Sequence, residues 1–466
     1  MVNIKRFLKT AGVYLLGSVL SKLVSFFLLP IYTSYLEPTQ YGTYDLVFSF
    51  INLIAPIAFL QIWDSTFRFS FDSKDNQSKY RLINNSLVVC FFGIILYFVI
   101  WLIVDQFYHF EYFYYILLYG LLFAFHYVYT FAARSFLNNS LYVFSGLLNT
   151  IITAILNVVL ITVYNWNINA MYVSACVGIT IQILIIEWKL KLFKHFTFKD
   201  IDLKAIKDMI TFSVPLCVAT ISYWLLSGYS KIIISYFCGN HENGLYAVAN
   251  KFASLITMVV AVFQFAWNEA AYLMANDNIR TVIYGKIINV MLKLMIWGTT
   301  FSIIIIKIIF PYFIDSQYQD ALSIIPATII GVATNTLAGF LGTLFSTEKK
   351  TTFVMISTFV AATCNVICGL IGSIFFGLQG IIIALMISFI VLLIMRMWKL
   401  TREGLFKVNF GFLKSVPILY IATIIFYINS SLWFLWFFLL ILLLLFWFAI
   451  RKDLSIFASR RKNNGK

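Results

Sequence analysis

Apolar runs of bilayer-spanning length, about 20 residues each, follow one another from Ala11 to Ile450, separated by brief polar breaks. With those breaks as boundaries, the pattern predicts about 14 membrane-spanning helices and leaves no stretch for a sizeable soluble domain. The expected fold class is an all-α polytopic membrane protein. The first run, AGVYLLGSVLSKLVSFFLLPIYTSYL, follows the basic start KRFLK, is too long for a signal-peptide core and precedes no small-residue cleavage site, so it reads as a retained helix. SLWFLWFFLLILLLLFWFAI, near the end, is apolar on all sides and reads as lipid-facing.

The breaks alternate in charge. FDSKDNQSKYR, KLKLFKHFTFKDIDLKAIKD, STEKK, the segment from Arg396 to Lys414 and the tail RKDLSIFASRRKNNGK are basic, whereas LEPTQ, DQFYHFE, NWNIN, CGNHEN, DSQYQD, FGLQ and INSS contain neither Lys nor Arg. By the positive-inside rule both termini are expected to be cytoplasmic, in a multi-pass protein of the inner (plasma) membrane. Composition agrees: 61% of residues are hydrophobic, 11% are charged, and mean hydropathy is +0.90. The net charge of +15 resides mainly in the inner breaks and the tail, where it would face anionic lipid headgroups and calls for no nucleic acid.

Short outer breaks offer no platform for the carboxylates and acceptor site of a glycosyltransferase or polymerase, and no Walker A pattern is present. No enzyme activity, catalytic residue or metal site is expected. The six cysteines fall mostly within or at the edge of apolar spans, and their only close pair, Cys364 and Cys368, has no histidine nearby, which points to packing.

Gly42 to Leu53, GTYDLVFSFINL, can be laid on Gly244 to Leu255, GLYAVANKFASL, matching Gly42 with Gly244, Tyr44 with Tyr246, Phe50 with Phe252 and Leu53 with Leu255. LQIWDS then meets FQFAWNE, and Asn157 meets Asn365, in the same order. The expected organisation is a parallel repeat of roughly 200 residues, with two six-helix lobes related by pseudo-two-fold symmetry around a central cavity. Residues 1–195 and 196–405 would form the lobes, and 406–466 two extra helices with a basic tail.

Charges at bilayer depth cost about 2.5–3.5 kcal/mol near the centre and usually face a wet cavity or a partner. Lys22 and Lys251 are the expected cavity cations. Asp45, Asp64, Arg68, Lys231, Glu269 and Lys307 are further cavity or coupling candidates, although snorkelling explains Lys231, Lys293 and Lys307 equally well. The spacing of Asp64 and Arg68 predicts a local helix pair. Lys251 and Glu269 lie 18 residues apart, which at about 100° per residue returns to one face and suits an anionic headgroup at Lys251, with Glu269 to carry a proton or to repel the substrate in one conformation. Pro30, Pro56, Pro215 and Pro326 offer bending points. His126 fits either a proton relay or a polar packing role against a neighbouring helix.

The opening LLGSVLSKLVSFFLLPIYTSYLEPTQYGTYDLV resembles Wzx-type polysaccharide repeat-unit flippases of the multidrug/oligosaccharidyl-lipid/polysaccharide exporter superfamily, and GLYAVANKF and the Asn157 and Asn365 segments extend that resemblance over the 12-helix core. It implies translocation of undecaprenyl-diphosphate-linked oligosaccharide, as for O-antigen or capsule, from the cytoplasmic to the outer leaflet by alternating access. It also implies a proton or sodium gradient as the driving force, no cofactor, and glycan polymerase and chain-length proteins as partners. Lys22 and Lys251 occupy helices that contribute cavity cations in the superfamily. The competing expectations are a multidrug or cation exporter of the same superfamily, a membrane glycan polymerase or glycosyltransferase, and a non-transporting scaffold.

Overall fold

The computed structural model describes residues 17, 19–73, 75–109, 112–274, 280–348, 350–405, 410–428 and 431–463. Among these the chain is helical throughout, with turns between helices and no β-strand. In hydrocarbon each backbone N–H and C=O needs a partner, and a helix supplies all of them within one segment. The helices are α1 (Val19–Tyr35), α2 (Pro38–Ala58), α3 (Ile62–Ser70), α4 (Asn76–Tyr108), α5 (Phe113–Ser135), α6 (Asn139–Thr162), α7 (Asn167–Leu190) and α8 (Leu203–Ser227). They continue with α9 (Tyr229–Phe237), α10 (Asn240–Leu273), α11 (Arg280–Phe313), α12 (Ile325–Thr347), α13 (Thr351–Arg402), α14 (Val416–Tyr427) and α15 (Leu432–Asn463).

Ten stretches among the described residues are long and apolar enough to cross a membrane, or eleven when α2 and α3, bent by 58° at their junction, count as one span. Two shorter apolar helices, Val19–Tyr35 and Gly411–Tyr427, and the division of α13 at Gly377 bring the succession to the expected 14. Gly377 has φ 55° and ψ −135°, a conformation essentially confined to glycine, and it turns the chain back on itself at the FGLQ break.

The prolines divide into two kinds. Pro56 lies inside α2 one turn before the break, where Leu60 and Gln61 adopt left-handed backbone angles. Pro215 is also inside its helix. Pro326, expected as a bend, instead begins α12, where its missing N–H costs nothing. Pro30 follows a turn at Leu28 within α1.

The chain forms two compact units, Met1–Gly244 and Leu245–Lys466. In the first, α8 packs on α2, α3 and α4, so this division falls later than the repeat boundary at 195. Side chains on α8 explain it: Trp224 Nε1 donates to the Ser49 carbonyl at 2.8 Å, and the Thr220 hydroxyl donates to Gln61 Oε1 at 2.8 Å. The unit's core gathers Val47, Ile51, Trp101, Ile116 and Val128 with Ala124, Ala132 and Ala133, small residues that let helices approach closely.

In the second unit α12 packs along α13, while α14 and α15 dock on α11 through Trp297, Ile304, Ile308, Ala422, Leu435 and Leu442. Only 11% of the α15 span is buried, as its uniformly apolar sequence predicts. Each unit also contains one ring stack at a repeat-related position: Trp63 on Tyr127 of α5 at 4.8 Å, and Trp267 on Phe340 of α12 at 4.7 Å. Each has a glutamine bonded to the next polar residue as well, Gln61 to Asp64 and Gln264 to Asn268.

The hairpin made by α13 is tied at its ends. Lys350, just before α13, donates to Glu403 just after it at 2.9 Å, and Lys399 lies 3.3 Å from the same carboxylate. The Lys350 hydrogen bond, assisted by Lys399, holds the Glu403 carboxyl below its ordinary value of 4.5. A depressed carboxylate stabilises the fold fully above its unfolded value and loses that contribution as pH falls through the folded value. The unfolding midpoint of Glu403→Gln is therefore expected to lie below wild type at pH 7, with the gap narrowing as pH falls below about 4.5. Thermal unfolding of both proteins from pH 7 to 3.5 measures this, and a gap as wide at pH 3.5 as at pH 7 contradicts it.

Candidate functional site

Several polar side chains of the spans are committed to a neighbouring helix. Asp45 on α2 and Lys231 on α9 form an ion pair at 2.8 Å, with 22% and 15% of their side chains exposed. They lie beside a close crossing of α2 and the start of α10, where Asn243 Nδ2 donates to the Gly42 carbonyl at 2.7 Å and Asn240 Nδ2 to the Thr43 hydroxyl at 3.1 Å. Gly42 and Gly244, the two glycines aligned by the repeat, touch each other there.

Asp64 and Arg68 do not form the local pair that their spacing suggested. The break at Leu60–Gln61 turns the Gln61 amide onto Asp64, which is partly buried, while Arg68 swings to the exposed Asp72, with both oxygens 3.0 Å from Nη1. Restarting the helix at Ile62 gives Asp64 a partner from the turn, leaving Arg68 the carboxylate one turn further on.

Lys307 on α11 donates to the carbonyls of Phe426 and, at 3.0 Å, Ile428. These are among the last carbonyls of α14, which have no partner within the helix, so the ammonium caps α14 and favours the negative end of its dipole. Lys307→Met keeps the apolar stem and removes the cap. It is expected to destabilise the α14–α15 attachment by about 1–3 kcal/mol, seen as faster proteolysis of the 403–431 connection while the rest of the chain stays resistant. Unchanged proteolysis would remove this capping role.

His126 takes the packing role. Its Nε2 lies 2.9 Å from Gln182 Oε1, which also accepts from Asn149 Nδ2 at 2.7 Å, so the imidazole donates through Nε2. The network joins α5, α6 and α7 and continues to Asn157 Oδ1, which accepts from Ser174 at 2.8 Å. Arg396, which sequence reasoning placed in a basic loop, is 5% exposed inside α13 and donates to the Ala338 carbonyl at 2.6 Å, Thr358 at 3.0 Å and Ser357 at 3.2 Å.

Lys22 and Lys251 are placed differently. Lys22 is exposed on α1 and makes no hydrogen bond or ion pair among the described residues. Lys251 is partly buried in α10, between Ala249 and the fully enclosed Phe252, and its carbonyl accepts from Ser254 at 2.6 Å. Because α10 is unbroken from Asn240 to Leu273, the five-turn register between Lys251 and Glu269 holds along its backbone. The Glu269 side chain lies outside the described ones.

α5 carries an aromatic ladder whose signal in the sequence is a period of four. Tyr115, Tyr119, Phe123, Tyr127 and Phe131 recur at every fourth residue of FYYILLYGLLFAFHYVYTF. Across from them stand Phe48, 4.7 Å from Tyr119, and Trp63 and Phe67 from α3. At the end nearer the basic breaks the Arg134 guanidinium lies over Phe67 at 4.4 Å and Phe131 at 5.0 Å. Arg81 and Asn85 in the first turns of α4 line a cavity of about 460 Å³ with Lys199, Asp200 and Asp202, and it contains none of the residues singled out from the sequence.

A family model described as polysaccharide biosynthesis protein matches residues 7–267. An inward-facing multidrug resistance MATE family transporter of the MOP superfamily is 14% identical, with 83% of this chain and 98% of that one covered and a TM-score of 0.69. Lipid II flippase MurJ in an inward closed conformation is 16% identical, with 96% of this chain and 98% of that one covered and a TM-score of 0.70. At these identities the likeness is one of fold. No curated protein matches the sequence.

Proposed function

The chain belongs to the polysaccharide biosynthesis protein family, and from that premise we propose that it is a flippase for a polyprenyl-diphosphate-linked oligosaccharide, moved from the cytoplasmic to the outer leaflet. Family membership carries this reading, and the fold shared with a lipid II flippase along 96% of the chain supports it. The cargo is an undecaprenyl-diphosphate oligosaccharide of the O-antigen or capsule kind. Its diphosphate is the part that cannot enter hydrocarbon unaided, because an ionised group loses its hydration there. Lys22 and Lys251 supply the compensating cations, and the polyprenyl tail stays in lipid. The lobes are 1–195 and 196–405, with 406–466 appended and both termini cytoplasmic.

Transport further requires that the cargo or a coupling ion bind two arrangements of the protein unequally. A proton or sodium gradient would provide that bias, with Glu269 and Asp64 as acids open to it. A multidrug exporter is the second reading, favoured by the fold shared with a MATE family transporter. Reconstituted vesicles separate the two. Wild-type protein is expected to expose a labelled polyprenyl-diphosphate oligosaccharide on the far leaflet and to leave cationic dyes in place, and the opposite pattern selects the exporter.

A further inference from the structure

The ladder on α5 carries an inference that rests on the reading above, in which the cargo is a glycolipid. A recurrence of four residues sets each ring one turn along and about 40° round from the last, so Tyr119, Phe123 and Tyr127 climb about 12 Å along one flank of the helix, room for about two sugar rings. Contact with lipid requires no such order, since aliphatic side chains meet a bilayer as well.

Three observations distinguish it from ordinary core. Tyr119, Tyr127 and Phe131 keep partly exposed edges, as do Tyr44 and Phe48 across from them. The hydroxyls of Tyr44, Tyr115, Tyr119 and Tyr127 make no hydrogen bond among the described residues, whereas tyrosines nearby are committed: Tyr97 donates to the Ile116 carbonyl at 3.1 Å and Tyr129 to Glu187 at 3.1 Å. Finally, Tyr172 on α7 is fully buried, with its ring parallel to Tyr115 at 5.6 Å and 5.2 Å from Tyr44, and its hydroxyl has no partner within the described structure. An enclosed hydroxyl without a partner is costly, and such groups commonly mark a place that water or a ligand completes.

Partly exposed aromatic rings next to uncommitted hydroxyls match a pyranose. The C–H face of the sugar lies on a ring, and its hydroxyls exchange hydrogen bonds with phenols that both donate and accept. An isoprenoid chain would use the faces and leave the hydroxyls unpaired. We propose that Tyr44, Tyr119 and Tyr127 form a carbohydrate-binding track along α5, which takes the sugar residues of the cargo, with the buried Tyr172 behind Tyr44 and Arg134 at the basic end.

The test is equilibrium binding by the full chain in detergent. One probe is the lipid-linked oligosaccharide fraction extracted from the cells that make the protein, and the other is sugar-free undecaprenyl diphosphate. Wild type is expected to bind the glycolipid about tenfold or more tightly than the sugar-free lipid. The Tyr119→Phe, Tyr127→Phe double variant keeps both rings and loses about threefold to tenfold of that preference. The Tyr119→Leu, Tyr127→Leu double variant loses the preference altogether, and both bind undecaprenyl diphosphate as wild type does. A leucine variant with the full wild-type preference overturns the track, as does equal weakening toward both probes, which would reveal a packing role. Wild type that binds both probes alike removes the track and leaves the flippase reading standing. Wild type that binds neither removes both.

Discussion

Alanine at Lys22 or Lys251 is expected to slow translocation of a polyprenyl-diphosphate oligosaccharide by about tenfold to hundredfold in reconstituted vesicles, because a charge-assisted hydrogen bond contributes about 1.5–3 kcal/mol. Both positions interrupt apolar runs, where a charge is retained only at a cost. Lys231 is held by Asp45 and Lys307 by the end of α14, so replacing Lys307 should loosen the α14–α15 attachment and spare translocation. Arginine at either site keeps the charge and should retain most of the rate. Should alanine at both positions leave the wild-type rate, the cation assignment is wrong. Should the alanine variants fail equally on a neutral lipid scrambled by the same vesicles, the loss comes from folding.

The second large effect is expected at the crossing of α2 and α10. A Cβ on Gly42 would come within 2.0 Å of the Asn240 carbonyl oxygen and 2.5 Å of the Gly244 nitrogen, and one on Gly244 within 2.0 Å of the Pro38 carbonyl oxygen. All three are backbone atoms, so no rotamer change relieves the overlap and the helices must part. Gly42→Val and Gly244→Val should each destabilise the first unit by about 1–3 kcal/mol, possible only with loss of the Asn243 bond to Gly42. At about 2–4 °C per kcal/mol for a unit of this size, the thermal midpoint falls by several degrees. Gly298, around which a Cβ meets nothing, is the control, and its alanine variant should unfold at the wild-type temperature. Equal midpoints for the valine variants and wild type would mean that the crossing is not close-packed.

Much of the fold can be traced to local sequence. Each apolar run became a helix because hydrocarbon accepts no unpaired backbone, a condition met within the run itself. The FGLQ break became a one-glycine turn for an equally local reason, since Gly377 can adopt backbone angles that other residues avoid. Gly42 and Gly244, which the sequence lays on each other, meet at a close contact of two helices. Pro326 shows the limit: a proline inside an apolar run marks a bend or a helix start, and only the neighbouring helix ends decide which.

The sequence by itself determined the number and order of the spans and the alternation of basic and neutral breaks, and it marked most of the charges that interrupt apolar runs, Arg396 excepted. Those features depend on composition within a few turns of one helix. Only the tertiary structure decided what each charge does, because the partners come from elsewhere in the chain: Asp45 reaches Lys231 across 186 residues, Lys307 reaches Phe426 across 119, and Arg396 reaches Ala338 on another helix. Spacing favoured an Asp64–Arg68 pair, yet the left-handed break at Gln61 redirected both side chains. The ladder on α5 was written as a period of four, and what gives it meaning is packing, which left its phenols without partners while neighbouring tyrosines found theirs.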